Sequence, residues 1–254
     1  MYIQSEHRVV NSARNIGLKH AKGKYINFLD PDDIWDSKAF RYILLYLKFY
    51  PNINMIVGRM KFSEASENYH PLDYKFDKTG VVNLTEEYNC IHQLASSTFF
   101  RSSLIKSKYF EEGVFSGEDT RYVNNFLILN PIMGLVKEAI YYYRRRADSS
   151  STIQSQKHSK EFYYKTPNDV ENYLIYKSIS LYNKTTPFIK FFVGYDVLYR
   201  IKSNATNKLL EQKAFKEYCT IIEDLLNKIE DKYFIKYKFR FFDFVINAPF
   251  YILF

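Results

Sequence analysis

Cysteine is almost missing from this chain: Cys90 and Cys219 are the only two among 254 residues. Two such thiols support neither a disulfide scaffold nor a zinc site, so a reducing compartment is the default. The five histidines show no metal-ligand spacing. No run approaches the roughly 18 apolar residues of a spanning helix, and the N-terminus lacks the charged region and apolar core of a signal peptide. No recognition helix, zinc finger or RNA-binding signature is present, so nucleic acid is not an expected partner.

Aromatic residues, by contrast, abound: 24 Tyr and 22 Phe. With the many Ile, Asn and Lys residues they fit the codon bias of an AT-rich genome better than a binding device. The net charge is +8, and from residue 156 onward 16 Lys and Arg stand against 11 Asp and Glu. Such an excess attracts anionic lipid or a phosphate-bearing substrate. Residues 233–254 interleave Lys236, Lys238 and Arg240 with aromatic side chains that include Phe239, Phe241, Phe242, Phe244, Phe250 and Tyr251, a mixture suited to an acidic membrane surface or to a tail packed on the rest of the protein.

The densest chemistry lies in residues 11–35. Ala13, Ile16, Gly17, Leu18 and Ala21 form an apolar stripe of near-helical period, with Gly23 beyond it as a left-handed stop. Residues 25–29 read as a strand covered on both faces, which Pro31 must end. That strand empties onto Asp30, Asp32 and Asp33. Three carboxylates so close repel one another unless a cation or solvent relieves them, and the C-terminal edge of a strand is where α/β sheets bind ligands. The alternative is an acidic turn that caps the next helix.

Further along, residues 37–49 predict a helix with Phe40, Ile43, Leu44 and Leu47 on one face, closed by Pro51. Residues 54–61 and 97–100 read as strands, 64–89 as a polar, irregular excursion, 101–109 as a short helix and 120–129 as a helix starting directly after Glu118 and Asp119. Those two carboxylates thus meet the positive end of a helix dipole, or merely cap it. The strand ending in Arg144, Arg145 and Arg146 puts Arg144 and Arg146 on one face, for phosphate or acceptor contact or as a basic edge guarding against aggregation. Residues 149–160 read as a linker, and helices with amphipathic spacing follow in 168–182, 188–202 and 209–229.

Ala13-Arg14-Asn15-x-Gly17, the strand, and Asp30-Pro31-Asp32 together resemble the core of family 2 glycosyltransferases of the GT-A fold. Phe115-Ser-Gly-Glu118-Asp119-Thr120 is similar to that family's Glu-Asp motif, and Tyr141 to Arg146 to the strand that follows it. The resemblance covers about the first 150 residues. It implies an α/β, Rossmann-like GT-A domain over residues 1–155 and a helical C-terminal region over 156–254.

The activity implied is inverting transfer of a sugar from a nucleotide-sugar donor to a hydroxyl of a glycan or lipid-linked acceptor, in bacterial capsule, lipopolysaccharide or teichoic-type glycan synthesis. By the same resemblance Asp119 is the catalytic base and Glu118 shapes the acceptor side. Arg14, Asp30, Arg144 and Arg146 are donor contacts, and Asp32 with Asp30 holds Mg²⁺ or Mn²⁺. The expected location is the cytoplasm, with peripheral contact at the inner face of the plasma membrane. Family members normally open with a further βαβ unit and its phosphate turn, which precede the Ala-Arg-Asn helix; here only ten residues precede Asn11. The expectation is therefore a domain lacking its first βαβ unit, and the competing reading is an inactive remnant or non-catalytic interaction module of the same fold.

Overall fold

The computed structural model describes residue 3 and residues 9–64, 67–145, 159–207, 210 and 212–229. The chain divides into two units, Met1–Ser151 and Thr152–Phe254. Arg146 and the basic aromatic tail over 233–254 lie outside the described residues.

The first unit runs α1 (Val10–His20), β1 (Tyr25–Asn27), β2 (Ile34–Trp35), α2 (Ala39–Phe49), β3 (Met55–Glu64), a 3-10 turn (Pro71–Phe76), β4 (Gly80–Asn83), β5 (Thr98–Arg101), α3 (Ser102–Ile105), α4 (Glu118–Leu129) and β6 (Ile132–Arg145). Its sheet is mixed, in the order β1-β5-β3-β6-β2. Among the described strands only β3 and β6 pair in parallel, and a register shift falls between Gly58 and Arg59. Two short strands share the other edge of β6: β4 pairs with its first residues and β2 with Tyr141 and Tyr142.

Periodicity misassigns the inner face of α1. The buried residues are Asn11, Ser12, Asn15 and Leu18, whereas Ala13 and Gly17 are exposed. The reason is hydrogen bonding: Asn11 Nδ2 donates to Glu111 O at 2.7 Å, while Asn15 donates to Phe110 O and accepts from Phe110 N at 2.9 and 2.8 Å. Hydrogen bonds to Nδ2 of Asn11 and to both polar atoms of Asn15 offset the cost of burying them, and an apolar count cannot see such pairing. Nor does Gly23 stop the helix, which ends on extended Ala21, whose N–H bonds Gly17 O; the left-handed glycines among the described residues are Gly113 and Gly117.

On α2 the buried face is Ala39, Ile43 and Tyr46, while Phe40 and Leu44 stay exposed. These belong to a core with Trp35, Ile56, Phe99, Val136, Ala139 and Tyr141. Gly58 makes the Trp35 packing possible, since a Cβ there would lie 2.4 Å from the indole. Strand β1 is only three residues long, with Tyr25 and Asn27 half-buried.

The excursion over residues 64–89 is more ordered than its polarity suggests. Arg59 forms a forked ion pair with Asp73 at 2.8 and 2.6 Å and lies 3.7 Å from the Tyr69 ring centroid. Lys75 is carried inward, where Nζ donates to Ile91 O at 2.5 Å and meets His92 Nδ1 at 3.2 Å. Burial pulls Lys75 from its ordinary 10.5 down to about 7, with Cys90 and Asp73 opposing, and the same burial and the Lys75 charge hold His70 down at about 4 and His92 well below its usual range.

Between pH 7 and 10.5 the unfolded chain therefore binds the Lys75 proton more readily than the folded one. This contribution to stability is complete above the upper value and is lost as pH falls toward the lower. Relative to Lys75→Met, the wild type should gain up to about 1.4 kcal/mol per pH unit between pH 7 and 9, read as the difference in chemical denaturation free energy. A pH-independent difference would contradict a buried, neutral Lys75.

The second unit comprises α5 (Glu161–Tyr164), a π-helical turn (Pro167–Asn172), α6 (Tyr173–Tyr182), α7 (Pro187–Asn207) and α8 (Gln212–Asn227). Its core holds Tyr163, Leu174, Ile175, Phe192, Val193 and Tyr218, with Arg200 buried between Glu171 and Asp196. No described helix is long and apolar enough to cross a membrane.

Candidate active site

Arg14 joins the two acidic motifs. From the middle of α1 its guanidinium reaches Asp30 beyond β1 at 2.9 Å, Glu118 in the first turn of α4 at 3.3 Å, and Asp119 beside it. The Arg14 side chain is 10% exposed and that of Asp119 15%. Phe110 flanks the guanidinium at 5.2 Å, in the segment that Asn11 and Asn15 anchor to α1.

Each motif is held from behind. Asn27, the last residue of β1, donates to Ser96 O and Thr98 O and accepts from Trp35 Nε1. The loop carrying Asp30 and Asp32 is thereby tied at both ends. Gly117, at φ 78°, turns the chain into α4 through a left-handed conformation that only glycine adopts without strain. No side chain caps that helix start: Asp119 instead receives Arg14 and, at 3.2 Å, the Ala95 N–H.

The electrostatics follow from enclosure. Burial pushes the Asp119 carboxyl up to about 7, helped by Glu118 and Asp30, against the pull of Arg14 and the Ala95 N–H. For Arg14 burial acts downward, but Asp119, Asp30 and Glu118 outweigh it and hold the guanidinium firmly charged. One cation against three carboxylates leaves the site with an excess of negative charge.

The third aspartate of the first motif has a different job. Asp33 is buried, accepting from Tyr141 Oη at 2.5 Å and from Arg144 N at 2.8 Å, so it ties the entry of β2 to β6 rather than joining Asp30. Burial raises its carboxyl to about 6 despite those two donors. The Arg144 guanidinium pairs with Glu64 on the neighbouring strand. Among the described residues no group of three or more His, Cys, Asp or Glu side chains converges as a metal cage.

Sequence reasoning gave no role to Asn15 and Tyr141, which it named only within motifs, and singled out neither Asn11, Asn27 nor the Ala95 N–H. One signal was available: two Asn residues one turn apart inside a helix run against propensity, which suits side chains that bond a neighbouring backbone.

A mixed sheet with two acidic motifs brought together at its edge defines the class as a GT-A-type transferase fold. Residues 2–112 match the family described as glycosyl transferase family 2, the family that the two acidic motifs resemble. Two curated relatives are the minor teichoic acid biosynthesis proteins GgaB and GgaA of Bacillus subtilis. GgaB is 31% identical over 94% of this chain and 27% of its own length, and GgaA 27% identical over 89% and 52%. The chain thus spans between a quarter and about half of these relatives. Among solved structures, S. aureus TarS 1-349 in complex with UDP-GlcNAc superposes with a TM-score of 0.62 at 15% identity, covering 88% of this chain and 62% of that one.

Proposed function

We propose that the first unit carries out inverting transfer of a sugar from a nucleotide-sugar to a hydroxyl acceptor, in teichoic-type surface glycan synthesis at the cytoplasmic face of the membrane. The observation that carries this reading is the Arg14 bridge, which brings the Asp30 end of β1 and the Glu118–Asp119 end of α4 into one site. Similarity to GgaB and GgaA supports the glycan class, and similarity to a TarS structure with UDP-GlcNAc supports a nucleotide-sugar donor.

In this reading Asp119 takes the proton of the acceptor hydroxyl as it attacks the anomeric carbon. Its raised affinity for a proton suits a base working near neutrality, and Glu118 borders the acceptor side. Arg14 holds Asp119 in place and offers positive charge to the donor, as Asp30 offers an acceptor to the ribose or to metal-bound water. Arg144, whose Nε is paired with Glu64, is read as a donor contact through the rest of its guanidinium; Arg146 is assigned the same role from the sequence.

The residues at the end of β1 suit Mg²⁺ or Mn²⁺. Such ions are commonly held by one or two carboxylates plus substrate phosphates rather than by an all-protein cage; Asp32, with Asp30, would supply the carboxylates of that set. Bound there, the ion would offset charge developing on the departing diphosphate.

Incubating the chain with Mn²⁺ and a panel of UDP-, GDP- and CDP-sugars, and measuring nucleotide release with and without glycan acceptors, tests the proposal. Metal-dependent release from one nucleotide class supports it. Folded protein that neither binds nor turns over any of them refutes it.

A further inference from the structure

We propose that His92 and Thr98, backed by Lys75, are positioning residues that aim one peptide N–H at Asp119. The inference rests on the reading of Asp119 as the base.

The Leu94–Ala95 peptide bond is engaged on both sides. Its carbonyl accepts from Thr98 Oγ1 at 2.7 Å and from His92 Nε2 at 2.9 Å, and its N–H donates to Asp119 Oδ2 at 3.2 Å. A trans peptide is planar, with C=O and N–H pointing in opposite directions. Anchoring the oxygen therefore fixes the direction of the N–H, and rotation of this unit breaks both contacts together.

The anchor is specified down to a tautomer. Leu94 O can only accept, so His92 Nε2 carries the hydrogen, and it also lies 2.8 Å from Thr98 Oγ1. Nδ1 is then an acceptor, and Lys75 Nζ stands 3.2 Å from it. From the other side Asn124 on α4 donates to His92 O at 3.3 Å, so the helix that presents Asp119 also holds the segment that contacts it. Thr98 is fully buried and His92 4% exposed. An enclosed, paired chain of this kind holds its geometry because every alternative leaves a polar group unsatisfied. The excursion that delivers Lys75 is thereby linked to Asp119 without touching it.

Two substitutions separate positioning from packing. Thr98→Val keeps the shape and deletes the hydroxyl; Thr98→Ser keeps the hydroxyl. With UDP-GlcNAc and Mn²⁺ as the probe, Thr98→Val should lower kcat about fivefold to tenfold, the size of one hydrogen bond expressed as a rate, with KM for the donor within about twofold. Thr98→Ser should restore kcat. Independently of turnover, the Ala95 amide proton in an NMR spectrum should move in Thr98→Val in the same direction as in Asp119→Asn. An unmoved Ala95 amide, or equal loss in Thr98→Ser and Thr98→Val, overturns the inference. If Asp119→Asn abolishes turnover while Thr98→Val is wild-type, positioning fails and the base assignment stands. If Asp119→Asn turns over normally, the base assignment fails and takes the catalytic meaning of this peptide with it.

Discussion

Asp119→Asn is expected to reduce sugar transfer by about 10²- to 10⁴-fold, the usual range for loss of a positioned general base, while nucleotide binding changes little. Asn keeps the shape of the side chain and one acceptor for the Ala95 N–H, but it cannot take a proton from the acceptor hydroxyl. The wild-type rate should also rise with pH through about 7, because burial holds the carboxyl protonated below that point. In Asp119→Asn that limb should be missing from any residual activity. A variant with wild-type turnover, or one that retains the limb, would move the base elsewhere, with Glu118 the first residue to examine.

Replacing Arg14 should have the larger effect on stability. In Arg14→Met the carboxylates of Asp30, Glu118 and Asp119 face one another without their shared cation, in a site where each is no more than 26% exposed. Removing one partner of a fully buried pair costs about 3–5 kcal/mol, and partial exposure here reduces that to about 2–3 kcal/mol. For a unit of this size the melting temperature should drop by about 4–10 °C. Arg14→Lys should recover only part of the loss, since an ammonium lacks the planar fork that reaches several carboxylates at once. The double variant Arg14→Met with Asp119→Asn should lose less than the sum of the two, because one of the charges that Arg14 neutralises is gone as well. Strict additivity, measured by chemical denaturation, would mean that the bridge contributes nothing as a unit.

The parts of this fold that were legible in the sequence are those where chemistry and period agree. Asp30 and Asp32 at a strand end, Glu118 and Asp119 at a helix start, and the alternation of strands and helices follow from local rules. The parts that were not legible depend on partners distant in the chain. The polar inner face of α1 exists because backbone at residues 110 and 111 offers hydrogen bonds, and on α2 the core around Trp35 and Tyr141 takes Ile43 of the expected stripe together with Ala39 and Tyr46, leaving Phe40 and Leu44 exposed.

The separate fate of Asp33 illustrates the same limit. Three neighbouring aspartates look equivalent in sequence, yet Tyr141 and the Arg144 amide, both on β6, draw one of them into the sheet. Strand β4 escaped notice because its pairing with residues 132–135 lies across a long stretch of chain from the polar loop that contains it. Lys75 and His92 escaped for a related reason: a lysine in a polar stretch reads as solvated until its burial is seen.

In the proposed function, the end of β1 and the start of α4 form one nucleotide-sugar site. Calorimetric titration of UDP into the wild type and into Asp32→Asn, each with and without Mn²⁺, tests it most directly. Mn²⁺-dependent binding by the wild type, lost in Asp32→Asn, is the expected result. Folded wild-type protein that fails to bind UDP under either condition, or an Asp32→Asn variant that binds as tightly as the wild type with Mn²⁺, would contradict it.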